Sequence, residues 1–303
     1  MIILTIITLV LFGYLLKFFN IVEEEHSKIL SRIVVHLTMP ATIFLTILKN
    51  LNSSEIFTFL KLPIVIIITF SFCGLLAYIV GNYLLKLDRE SLGGFILVCM
   101  LANTGFLGYP VILGLFNTEG LVRAIFCDLG SVFVTMLLGS YVGIKFGCGE
   151  GKNIIVEMIK FPPLVVGILS IILVLFNFDL NYLPKFFLKS LEYLSSATVP
   201  LIMLSLGLSL SPRAIKYSIV LSFIVCIFRF ILSPTSAYIL SSIFNITGLE
   251  KKVLLVESSM PSAMMSFVLG SIYNLNIKLI SSAIFITTLT SFLVIGFWEF
   301  VFR

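Results

Sequence analysis

Long apolar runs alternate with short polar connections along the chain. Each run has about the 20 residues that a helix, rising 1.5 Å per residue, needs to cross a hydrocarbon core of about 30 Å. Ten such runs fit, near 1–19, 29–48, 62–85, 92–116, 121–146, 161–178, 186–210, 214–243, 252–273 and 278–301. The connections between them are polar, as in Val22-Glu23-Glu24-Glu25-His26-Ser27-Lys28 and Lys86-Leu87-Asp88-Arg89-Glu90-Ser91. The pattern predicts an all-α polytopic membrane protein with ten transmembrane helices. The first run lacks the basic leader and small-residue cleavage site of a secretory signal and reads as a retained span.

The longest connection, the glycine-rich and charged stretch 147–160, divides the chain into 1–146 and 161–303, each with five spans. Pro40 and Pro200 lie inside the second span of each half, 160 residues apart, and Pro110 and Pro261 inside the fourth, 151 apart. Matching prolines in two halves predict an internal repeat. Because five is odd, the second half starts from the opposite face, so the repeat is inverted, an arrangement characteristic of secondary transporters.

Composition narrows the function classes. Of 303 residues, 59% are hydrophobic and 12% charged, too few charges for a soluble surface, which needs about 25–35%. A soluble or nucleic-acid-binding protein is thereby excluded, and the net charge of +5 bears on topology instead. Eleven Lys and Arg flank the odd-numbered connections, against eight at the termini and the even-numbered ones. The positive-inside rule then places the central connection in the cytoplasm and both termini outside. Cys73, Cys99, Cys127, Cys148 and Cys226 show no paired spacing, so neither a disulfide framework nor a zinc site is indicated. Nucleotide-binding, metalloprotease and hydrolase motifs are missing, and no cofactor is expected.

Candidate chemistry concentrates in spans 4 and 9. In Asn103-Thr104-Gly105-Phe106-Leu107-Gly108-Tyr109-Pro110, glycines suit a helix end and proline a helix start. The expectation is a helix that stops near Thr104, continues extended and restarts at Pro110. In Glu257-Ser258-Ser259-Met260-Pro261, serine caps followed by proline predict a second half-helix starting at Pro261. Two half-helix N-termini from opposite faces would meet near the midplane, each worth about half a positive charge and favourable to a carboxylate. Asn103, Thr104, Gly105, Gly108, Pro110, Ser258, Ser259 and Pro261 are the candidate substrate-binding residues. A continuous, merely kinked helix is the competing reading of each span.

Charges inside spans are costly, about 2.5–3.5 kcal/mol at the bilayer centre, so Asp128, Arg229 and Glu257 stand out. Glu257, one turn before Pro261, is the preferred ion-coupling residue, with a static pair to Arg229 as its alternative. Asp128 is the second coupling candidate. Arg229 is read as charge-balancing, with capping of freed carbonyls or attraction of an anion as its other roles. His36, one turn before Pro40, reads as a packed, hydrogen-bonded histidine.

These residues resemble the auxin efflux carrier family. Asn103-Thr104 through Gly108-Tyr109-Pro110 is similar to its helix 4 signature, Arg32-Ile33-Val34 with Pro40 to helix 2, and Met203-Leu204-Ser205-Leu206-Gly207-Leu208 to helix 7. Arg229-Phe230 with Pro234 resembles helix 8 and Met260-Pro261 helix 9. The resemblance covers nearly the whole chain. It implies two inverted five-helix repeats in the fold of bile-acid and sodium-proton transporters, with substrate bound where helices 4 and 9 cross. Plant members carry a long loop where 147–160 stands, a glutamine at Glu257 and a second proline at Ser266, so auxin itself is not implied. Prokaryotic relatives are often assigned to malate or malonate.

The expected function is therefore secondary transport of a small organic anion across the cell membrane by alternating access, coupled to protons or sodium. An anion-permeable channel and a ligand-binding receptor without transport are the alternatives. The expected partners are that anion, a proton or sodium ion, the lipid bilayer and a second copy in a homodimer, with no nucleic acid and no enzymatic activity.

Overall fold

The computed structural model describes residues 2–23, 25–148, 160–210 and 218–302. Most of the connection 147–160, and the first residues of the run 214–243, lie outside the described residues. All regular structure among the described residues is helical, as a chain in lipid requires, because only a helix or a closed barrel pairs every backbone group internally.

The helices are α1 (Ile2–Phe18), α2 (His26–Asn50), α3 (Ser53–Leu84), α4 (Arg89–Met100), α5 (Thr104–Phe146), α6 (Pro162–Leu175), α7 (Lys185–Ser209), α8 (Ile219–Ile243), α9 (Gly248–Ser258), α10 (Met265–Ile272) and α11 (Ile277–Phe302). Six of them, α2, α3, α5, α7, α8 and α11, are long and apolar enough to cross a bilayer. This is a multi-pass membrane protein, and apolar side chains such as Leu4, Leu75, Val220 and Leu293 lie exposed on its outside.

Several helix ends share one device. Asn20, Asn177, Asn245 and Asn274 come just after α1, α6, α8 and α10 with φ between 52° and 55°. Lys86 does the same after α3, and Asn117, at φ 56°, bends α5. Asparagine tolerates this left-handed geometry and lets the last carbonyls of a helix find partners. At the opposite kind of end, the Asp88 carboxylate accepts the amide of Ser91 at 3.2 Å and caps α4.

The Ser91 hydroxyl and amide hold the Asp88 carboxyl below its ordinary value. Its cap therefore stabilises fully above about pH 4 and is lost as pH falls through the lowered value. Asp88→Ala is expected to cost about 1 kcal/mol, read as a lower melting temperature at neutral pH that converges with the wild type in acid.

Close crossings use glycine and hydroxyl contacts, as helices in lipid do. At the α1–α7 crossing, a Cβ on Gly207 would lie 2.8 Å from the Tyr14 amide and 2.9 Å from the Gly13 Cα. On α5, Gly130 meets the backbone of Pro63 in α3. Ser31 and Ser205, then Thr42 and Thr198, join α2 to α7 through hydroxyl pairs at 2.8 Å.

Candidate functional site

Two non-helical segments interrupt the helical run, Leu101–Asn103 between α4 and α5 and Ser259–Met264 between α9 and α10. They pair antiparallel through Ala102 and Ser262. The Asn103 amide donates to the Pro261 carbonyl at 2.8 Å and the Ala263 amide to the Leu101 carbonyl at 2.9 Å. Each break thus satisfies backbone groups of the other, which lipid cannot do.

The first break falls earlier, and the second helix restarts later, than the glycine and proline pattern implied. Helix α4 ends at Met100 rather than near Thr104, and residues 104–108 form a widened π-helical turn running into the regular helix from Tyr109. Pro110 sits in the first turn after that widening, where its missing N–H is tolerated. Pro261 belongs to the non-helical segment, and helix resumes only at Met265. The two prolines therefore do not hold equivalent positions.

Arg229, fully buried on α8, joins the helix ends. Its Nε donates to the Met260 carbonyl at 3.1 Å and its Nη2 to Ser258 at 2.9 Å, while Nη1 reaches Cys99 and Met100 at 3.3 and 3.4 Å. The Ser233 hydroxyl adds a bond to the Ser258 carbonyl at 2.7 Å. One cation thus answers the negative C-terminal ends of α4 and α9 together. Its plane lies over the Phe70 ring at 5.0 Å.

The carboxylates gather along the first turns of α5. Asp128 accepts the hydroxyls of Thr104 (2.5 Å) and Tyr109 (3.0 Å). A Cβ on Gly105 would meet its oxygens at 3.2 and 3.4 Å. Asp128 therefore stands at the N-terminal end of α5, where unpaired amides favour an anion. The chain supplies its own carboxylate there.

Glu257 points at Gly108, one turn further on. A Cβ at Gly108 would fall well inside contact distance of both carboxylate oxygens, 2.6 Å from Oε1. Glu257 is wholly buried, and neither oxygen has a hydrogen-bond partner among the described residues. The Asn103 side-chain amide nitrogen is likewise buried and unpartnered.

Other sequence-selected residues sit differently. The Ser258 and Ser259 hydroxyls turn back onto the carbonyls of Leu255 and Val256 in α9, at 2.9 and 2.8 Å. Trp298 of α11 donates to the Ser259 hydroxyl at 2.7 Å. His36 is exposed in the widened turn Val34–Thr38 of α2, not packed in the interior. Tyr109, Ser262, Thr287 and Trp298 were missed. Ser262 bonds the Val98 carbonyl at 2.7 Å, and its amide donates to the Thr287 hydroxyl at 3.2 Å. Polar atoms within apolar runs were the available signal.

A family model described as membrane transport protein matches residues 1–146 and 151–299. Among curated relatives, an uncharacterized transporter of Methanocaldococcus jannaschii is 63% identical over 300 residues, 99% of this chain and 97% of that protein. An uncharacterized transporter of Methanothermobacter thermautotrophicus is 37% identical over the same length, with the same coverage of each.

Proposed function

The chain belongs to the membrane transport protein family, the family of auxin efflux carriers, and we propose that it is a secondary active transporter moving a small organic anion across the cell membrane by alternating access. The observation that carries this reading is the pair of crossed breaks: buried, mutually hydrogen-bonded and flanked by an unpartnered Glu257 carboxyl and an unpartnered Asn103 amide. Glu257 and Asp128 are its ion-coupling groups, and the unpartnered Asn103 side-chain amide is its substrate donor.

The carrier would comprise ten spans in two inverted repeats, 1–146 and 161–303, joined by a cytoplasmic connection 147–160, with both termini outside. Left-handed helix ends support the repeat. Asn20 and Asn177, Lys86 and Asn245, and Asn117 and Asn274 stand 157, 159 and 157 residues apart. Ala102 and Ser262, which pair at the breaks, fit the same offset, as do Pro40 and Pro200. Two halves so related would set one moving interface around one central site, the geometry that alternating access uses.

The test is counterflow. Proteoliposomes loaded with unlabelled malonate or indole-3-acetate are expected to accumulate the labelled anion transiently, with saturation in its concentration. Conductance without saturation in a planar bilayer would point to a channel, and binding without counterflow to a receptor.

A further inference from the structure

Resting on that transport reading, we infer that the coupled ion is a proton, carried on the Glu257 carboxyl above Gly108, one per transport cycle. A carboxylate wholly removed from water needs a cation, a metal or hydrogen-bond donors, and without them it persists as the neutral acid. Glu257 has none of these among the described residues. Asp128 contrasts with it, because hydroxyls donate to both its oxygens.

Groups from four elements pack around α9. From α5, Asp128, Tyr109 and Cys127 lie within electrostatic reach of Glu257. From α8 comes Arg229, whose nitrogens are turned to carbonyl oxygens. From α3 comes Cys73, beside Arg229 rather than Glu257. From α11, Trp298 reaches Ser259. The charged side chains Glu250, Lys251 and Lys252 of α9 belong to its first turns, where Glu250 pairs with Arg123 at 2.8 Å.

A sodium ion would require several oxygens converging on Glu257. Opposite its carboxyl stands Gly108, which has no side chain. A proton requires one oxygen only. In the outward or inward open state, the carboxylate takes a proton from hydronium, giving the acid and water, and in the opposite state it returns that proton to water.

The experiment follows the carboxyl itself by infrared spectroscopy of the full chain in liposomes, scanned in pH in sodium and in potassium media. The expected result is a carboxylic-acid carbonyl band that comes and goes with pH identically in both salts. It should be absent from Glu257→Gln and retained in Asp128→Asn. A band that survives in Glu257→Gln, or whose pH dependence moves with sodium, overturns the proposal.

In the transport arm, malonate or indole-3-acetate flux is read together with an internal pH dye. Glu257→Gln is expected to lower pH-gradient-driven accumulation about tenfold and to abolish the proton movement that accompanies net anion flux. Net uptake of either anion into wild-type vesicles that hold no anion inside, without proton movement, overturns the proton, and counterflow in the same preparation leaves the transport reading standing. A titrating band with no counterflow of either anion removes the organic-anion reading, and the coupling role with it.

Discussion

Replacing Arg229 by methionine is expected to be the most destabilising single change in the protein. The side chain keeps most of its volume and its packing against Phe70, so the loss is one of charge and donors. Four carbonyls, on Cys99, Met100, Ser258 and Met260, lose a partner at once, and only Ser258 keeps a substitute in the Ser233 hydroxyl. A buried polar group left unpaired costs about 1–3 kcal/mol. Three of them amount to a loss of the order of 3–9 kcal/mol, comparable with the total stability of about 5–15 kcal/mol of an ordinary domain.

The same variant separates two roles for the residue. If Arg229 stabilised the fold by neutralising a carboxylate, Arg229→Met would be rescued by Glu257→Gln or Asp128→Asn. With its nitrogens turned to carbonyls, neither second change is expected to restore anything. Arg229→Lys should fall between, since a single ammonium reaches fewer carbonyls than a planar fork. Thermal unfolding in detergent, with the monodisperse yield after purification, reads the order. An Arg229→Met protein melting with the wild type would show that the two helix ends hold together without this cation.

Much of this was legible in the chain because lipid restricts the options. Apolar runs of spanning length mark the helices, and charges within them mark Asp128, Arg229 and Glu257, all of which lie beside the two breaks. The family, too, followed from ordered motifs, with Arg229-Phe230 and Met260-Pro261 among them. What failed was local. Glycine and proline at 105, 108 and 110 were read as an extended stretch, whereas they support a widened helical turn, and the glycines leave room for two carboxylates. That need for room is set by Asp128 and Glu257, distant in sequence, so no local pattern announces it. The choice among partners for Arg229 was equally hidden, because carbonyl oxygens belong to every residue. Tyr109 and Trp298 gave no periodic signal, although each places its polar atom on the site.

Gly108 permits the test that depends most directly on this arrangement. Gly108→Ala puts a methyl group where the Glu257 carboxyl now rests, within 2.6 Å of Oε1. Overpacking of a buried site costs about 1–3 kcal/mol. Alanine gains back about 1 kcal/mol of helix propensity over glycine, and the obstructed atoms are the far end of a side chain that can swing aside. Stability should therefore change little, while a displaced Glu257 loses its place beside the α5 turn and transport falls at least about tenfold. Gly105→Ala serves as the milder control, because its methyl would stand 3.2 Å from an Asp128 oxygen. Combining Gly108→Ala with Glu257→Ala removes the clash and keeps the propensity gain of about 1 kcal/mol, so the double variant should melt above Glu257→Ala alone, with non-additivity measuring the contact. Equal transport by Gly108→Ala and the wild type would mean that the carboxyl does its work from somewhere other than the notch over this glycine.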